Sequence, residues 1–217
     1  MCCVFPVGFE YAVLKTGHMA KLTSADIAKD LRMFGRNLCA AHERIGLRQV
    51  GFATLSKYDR STISKIECGR QAPKFDTLLA LALAAHVAPA ELFRGIGPEQ
   101  PSSLPPNDDG VMPRTAAEQF GANLKQAREL AKLNHEELGS DAVADRSLIS
   151  DWETGKREAN LRTILKLARA LEISPALLLR DVELGLPHMP HGASMTRISQ
   201  RVLSDSPGSS RTRPSPL

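Results

Sequence analysis

Apolar residues along this chain return every three or four positions, and no stretch shows convincing alternation of period two. Ile27, Leu31, Phe34, Leu38, Ala41 and Ile45 fall on one stripe, the spacing of a helix that buries a single face. Ser24 reads as its N-cap and Gly46 as its stop, so a helix is expected over Ala25–Arg44. Short helices follow near Arg48–Leu55 and Arg60–Glu67, the second with Asp59 at its N-cap and Gly69 after its end. Asp76 is expected to cap a helix over Thr77–Ala85, and Pro89 to open a short one over Ala90–Phe93. A second series is expected near Thr115–Ala131, Glu136–Asp141, Arg146–Glu153, Leu161–Leu171 and Ala176–Leu184. With no stretch of period two, the chain reads as all-α.

The two series are one pattern written twice. Residues Phe34–Arg94 reappear, ungapped, as Phe120–Arg180. Phe34, Gly35, Asn37, Leu38, Asp59, Arg60, Ser61, Ile63, Ser64, Glu67 and Gly69 meet Phe120, Gly121, Asn123, Leu124, Asp145, Arg146, Ser147, Ile149, Ser150, Glu153 and Gly155. A repeat of this length is too long for a solenoid unit and fits a small domain. The expected order is a flexible extension over 1–23, a five-helix domain over 24–94, a linker over 95–113, a second domain over 114–184 and a disordered tail over 185–217. Prolines at 98, 101, 105, 106 and 113 mark the linker. Met19 reads as a more natural start than Met1.

Composition narrows the class. Of 217 residues, 42% are hydrophobic and only 5% aromatic, so the cores are aliphatic, and the net charge is +4. A mildly basic chain suits a nucleic-acid partner without requiring one. Cys2, Cys3, Cys39 and Cys68 form no CxxC pair and no Cys/His zinc spacing, so a reducing cytoplasm is expected. No apolar run approaches the length of a membrane span. Phosphate-binding loops, HExxH and GxSxG are missing from the sequence, so no catalysis, cofactor or metal is expected.

Asp59-Arg-Ser-Thr-Ile-Ser-Lys-Ile-Glu-Cys-Gly-Arg, preceded by Gly46-Leu-Arg-Gln and followed by Pro73 and Asp76-Thr-Leu-Leu, resembles the helix-turn-helix of the lambda-repressor-like (Xre/Cro) family. Leu133-Asn-His-Glu-Glu-Leu through Asp145-Arg-Ser-Leu-Ile-Ser-Asp-Trp-Glu-Thr-Gly-Lys resembles it again. The resemblance implies two tandem five-helix DNA-binding domains joined by a Pro-rich linker, with recognition helices near 60–67 and 146–153. It implies contacts to double-stranded DNA from Arg48, Gln49, Arg60, Ser61, Thr62, Ser64, Lys65 and Arg70. In the second copy the contacts would come from His135, Arg146, Ser147, Ser150, Asp151 and Lys156. The physics agrees: a recognition helix needs one narrow apolar edge, here Ile63 and Ile66, and a free edge whose Arg, Lys and Ser reach bases and phosphates.

The copies differ where contact is made. Residues 34–94 carry nine Lys/Arg against five Asp/Glu, residues 120–180 ten against nine. Asp151 replaces Lys65, and His135, followed by two glutamates, replaces Gln49. Copy one is therefore expected to bind DNA more strongly. The family's Leu-Gly-Val turn is replaced by Ser56-Lys57-Tyr58 and Ala142-Val143-Ala144, which costs a left-handed glycine. Arg128 pairs with Glu153 on the family pattern, whereas His42 stands opposite Glu67, either as a pH-sensitive ion pair or as a neutral hydrogen bond. Cys68 near the phosphates and His188-Met-Pro-His191 in the tail are weaker readings, of a redox thiol and of metal spacing.

The expected function is a sequence-specific transcriptional regulator, a repressor in sense, cytoplasmic and nucleoid-associated, working as a homodimer or as an intramolecular pseudo-dimer. The alternative is a protein-interaction module of antitoxin-like or anti-activator type. No membrane partner is expected.

Overall fold

The computed structural model describes residues 23–98, 115–142 and 144–182. The N-terminal extension, most of the linker, Val143 and the tail with His188 and His191 lie outside the described residues. The first repeat forms α1 (Ser24–Arg44), α2 (Gln49–Ser56), α3 (Arg60–Glu67), α4 (Phe75–Ala84) and a 3-10 turn, η1 (Pro89–Phe93). The second forms α5 (Ala116–Leu130), α6 (His135–Ala142), α7 (Arg146–Glu153), α8 (Leu161–Ala170) and α9 (Pro175–Leu178). Among the described residues there is no strand.

Several helix ends differ from the sequence expectation. Thr23, not Ser24, caps α1: its hydroxyl accepts from the Asp26 amide at 3.2 Å, and the Asp26 carboxylate accepts from the Thr23 amide at 3.2 Å. That hydrogen bonding from Thr23 holds the Asp26 carboxyl below its ordinary value. Thr115 caps α5 in the same way, with Glu118 closing the capping box. Asp76 caps nothing; α4 starts at Phe75, after Lys74, because burying Phe75 draws that residue into the helix. The last helix ends at Leu178 rather than running to Leu184. Asn123 takes the carbonyls of Leu178 and Arg180 at 3.1 and 2.7 Å, and Asp181 turns left-handed at φ 57°, so helical continuation has lost its acceptors.

Each repeat is built around its first helix. Gly35 lets α1 lie against the carbonyl of Glu67 at the end of α3, where a Cβ would collide. Gly121 does the same at Glu153, where a Cβ would stand 2.5 Å from the carbonyl oxygen. Phe34, Leu38, Phe52, Ile63 and Ile66 fill the first core, and Phe120, Leu124, Leu138, Ile149 and Trp152 the second.

Both repeats lie in one compact unit, and one set of buried apolar residues runs through both. The equivalent elements η1 and α9 pack on each other. Phe75 meets Phe120 edge-on with ring centroids 5.6 Å apart, and the Leu161 amide donates to the Pro73 carbonyl at 3.1 Å. Arg169 grips Asp30 at 2.8 and 2.7 Å. Burial pushes the Asp30 carboxyl upward against the pull of that guanidinium. Ile96, at the start of the expected linker, is buried, and the Ser174 hydroxyl donates to its carbonyl at 3.3 Å.

Candidate nucleic-acid interface

Burying Ile63 and Ile66 fixes which edge of α3 faces outward. Arg60, Ser61 and Lys65 are exposed there, Ser64 is half-exposed, and Thr62 is half-buried at the margin. Arg70 is exposed just past the left-handed Gly69. The turn into α3 is made by Lys57 at φ 60°, ψ 28°, the left-handed geometry that glycine supplies in the family. That turn is therefore kept in copy one with a non-glycine residue.

Arg48 and Gln49 begin α2 beside this edge. Arg48 is the N-cap residue and makes no side-chain capping bond, and no side chain among the described residues occupies the first amides of α2. A helix end of this kind suits an anion such as phosphate. Gln49 donates to Glu67 Oε2 at 2.6 Å and accepts from Arg60 Nε at 3.1 Å. Behind it His42 is buried and stacked on Phe52, with ring centroids 4.8 Å apart. Its Nδ1 lies 2.8 Å from the Leu47 carbonyl and its Nε2 2.9 Å from Glu67 Oε1. A polar line thus runs from the core, through Glu67 and Gln49, to Arg60 on the exposed edge of α3.

Copy two keeps the scaffold and changes the face. Ile149 and Trp152 are buried, and Arg146, Ser147, Ser150 and Lys156 are exposed. Asp151 lies 3.9 Å from Arg157 and adds negative charge to that edge. Asn134 Oδ1 accepts from the amides of Glu136 and Glu137 at 2.9 and 2.8 Å, so the start of α6 is already capped. Glu136 and Glu137 also put two carboxylates in its first turn. Asn134 was not among the expected residues, although Asn-x-x-Glu is a readable capping box. His135 bonds Glu153 at 3.0 Å, the place Gln49 takes against Glu67. Arg128 holds both oxygens of Glu153, at 2.7 and 3.3 Å, and that hydrogen bonding raises its already high basicity.

Cys39 and His42, one turn apart on α1, converge on Glu67. This grouping is invisible to a search for paired cysteines, because its third member arrives from α3. Burial, a hydrogen bond to Glu43 and the charges of Glu67 and Glu43 push the Cys39 thiol up to about 11. Cys68 is an exposed free thiol.

A family model described as helix-turn-helix domain matches residues 20–93, and a second, described as helix-turn-helix, matches residues 124–178. No curated protein and no solved structure matches the chain.

Proposed function

Because the chain belongs to the helix-turn-helix proteins of the lambda-repressor-like kind, with two such domains in tandem, we propose that it is a sequence-specific regulator of transcription whose first domain is the principal reader of double-stranded DNA. One observation carries this: the two copies share a scaffold but finish the starts of their second helices differently. The first amides of α2 have no side-chain cap, with Arg48 beside them. The matching amides of α6 are spent on Asn134, beneath two glutamates. An anion is therefore welcomed at the first copy and repelled at the second.

In this reading α3 enters the major groove. Arg60 and Lys65 meet guanine edges or phosphates, Ser61 and Ser64 add short hydrogen bonds, and Arg70 reaches the backbone. Gln49 turns from Glu67 to phosphate on binding. The second copy contributes Arg146, Ser147, Ser150 and Lys156 to a weaker or different half-site, with Asp151 suited to a cytosine amino group. The packing of η1 on α9 supports an intramolecular pseudo-dimer, since equivalent elements meeting each other is the mark of a two-fold pair. Repression is the expected sense because occupancy alone produces it.

Fluorescence anisotropy with genomic fragments, including the region upstream of the coding sequence, tests this. Arg60→Ala/Lys65→Ala should weaken specific binding at least tenfold, at about 1–3 kcal/mol for each base-specific hydrogen-bonded pair removed. It should also flatten the salt dependence, by about 0.9 in log–log slope for each phosphate the variant no longer neutralises. Arg146→Ala should cost about threefold or less. Failure to bind any fragment even at low salt would overturn the reading. The acidic start of α6 favours one other arrangement, in which copy two holds a basic protein surface while copy one reads DNA; a protein partner that Glu136→Ala/Glu137→Ala releases would reveal it.

A further inference from the structure

Cys39, His42 and Glu67 meet between α1 and the end of α3, each offering one donor atom within 4.8 Å of the others. They present a sulfur, an imidazole nitrogen and a carboxylate oxygen, the donor types of zinc-class ions. Cys39 and His42 stand three residues apart on one helix, so both side chains leave it on the same face.

The surroundings orient these atoms. The Leu47 carbonyl can only accept, so Nδ1 of His42, 2.8 Å away, carries hydrogen. With hydrogen on Nδ1, Nε2 faces Glu67 Oε1, 2.9 Å away. Two acceptors this close require a positive species between them, a proton or a metal ion. The other oxygen of Glu67 is held by Gln49 at 2.6 Å. A carbonyl behind the histidine and a donor behind the carboxylate form the outer shell that orients metal ligands.

The second repeat is an internal control. Lys125 and Arg128 stand where Cys39 and His42 stand in the first. Arg128 reaches both oxygens of Glu153 and donates to the Leu133 carbonyl at 2.9 Å, the counterpart of Leu47. There the carboxylate at the end of the recognition helix meets permanent positive charge. In the first repeat the positive charge must be supplied.

We propose that Cys39, His42 and Glu67 bind one borderline-soft divalent ion of the zinc class, clamping α1 to the end of the first recognition helix. On binding, the Cys39 thiol gives up its proton to solvent, with Glu43 Oε1, its partner at 3.4 Å, as the first acceptor. His42 ligates through Nε2, Glu67 through Oε1, and a water completes a tetrahedron. Ligand atoms in such a site lie about 3.3–3.6 Å apart, from bonds of about 2.0–2.3 Å. The cluster closes to that spacing through side-chain rotation of Cys39 and Glu67. The carboxylate that takes the ion is the one holding Gln49, so the site is tied directly to the reading edge.

Full-length protein carrying Cys2→Ser, Cys3→Ser and Cys68→Ser, reduced and stripped of metal, is titrated with Co2+ and then Zn2+. One cobalt per chain should bind, with a thiolate-to-cobalt charge-transfer band and the intense visible bands of a tetrahedral site, and zinc should displace it. Adding Cys39→Ser should abolish the charge-transfer band. Adding His42→Arg copies the second repeat, so the helical circular dichroism should survive while cobalt affinity falls at least tenfold. Zinc should raise the Tm of the parent and leave that of the His42→Arg protein unchanged. The proposal fails if the parent shows no charge-transfer band with Cys39 reduced, or if the His42→Arg protein binds cobalt like the parent. No readout here involves DNA, so the result stands apart from the outcome of the binding assay above.

Discussion

Gly35 and Gly121 do a job that no other residue could share, and each lies where the first helix of a repeat crosses the end of its third, α3 or α7. A methyl group on Gly35 would strike the backbone carbonyl of Glu67, which cannot rotate away. Gly35→Ala should therefore lower unfolding stability by about 1–3 kcal/mol in urea melts, despite the better helix propensity of alanine. Gly51 in α2 is the control: the nearest atom to its added methyl is a flexible Leu47 methyl at 3.4 Å. Gly51→Ala should be neutral or stabilising by up to about 1 kcal/mol. Sequence alone marks both residues only as helical glycines; the difference lies in what packs opposite. The left-handed turns tell a related story. Gly46 and Lys132 are equivalent and adopt φ 75° and 57°, as Gly95 and Asp181 adopt 73° and 57°. The fold demands the conformation and tolerates non-glycine residues there, so replacing the family's glycine with Lys57 left the turn intact.

Elements in this fold are joined by a few long-range polar ties. Asn37 donates to the carbonyls of Leu92 and Arg94, both at 2.9 Å, and Asn123 to those of Leu178 and Arg180. These bonds staple the first helix of each repeat to its last turn and satisfy carbonyls that a short terminal helix leaves over. Asn123 is fully buried, whereas Asn37 is half-buried. Asn123→Ala should therefore cost about 2–3 kcal/mol and Asn37→Ala less, read from thermal or urea unfolding. The helices themselves were legible in the sequence, because Ile27, Leu31, Phe34 and Leu38 repeat at helical spacing and bury as expected. Their ends were not. Thr23 outcompeted Ser24 because only Thr23 has Asp26 three residues ahead to close the box. Phe75 overrode Asp76 because burying a phenyl ring outweighs a cap worth about 1 kcal/mol. The outward-facing edge of α3 was legible for the same reason as the helices, since Ile63 and Ile66 define its back. The bare start of α2 was not, because a missing cap leaves no mark on a motif.

In the molecule as a whole, the contact between the repeats is less symmetrical than the repeats. Arg169 reaches Asp30, but their counterparts are Leu83 and Ala116, which cannot form a second ion pair. Glu158 faces Asp76 from the opposite repeat; partial desolvation first, and then the Asp76 carboxylate, raise its carboxyl above the ordinary 4.5. Because the folded state binds that proton more tightly than the unfolded chain, Glu158 favours folding at pH values below 4.5. The benefit is lost as pH rises through its folded value, which leaves the two carboxylates in conflict at neutrality. Glu158→Gln should accordingly stabilise the protein at pH 7, by less than about 1 kcal/mol because the side chain is exposed, and make no difference near pH 4. Unfolding midpoints across that range would check it. The packing of η1 on α9 has a last consequence, for dose. Two readers that must find each other in solution fall apart when molecules are scarce, so their occupancy climbs steeply with abundance. If the two repeats read DNA together as proposed, one polypeptide pairs them from synthesis, and occupancy should rise in simple proportion at low levels. A cell holding only a few copies would still have every one of them assembled.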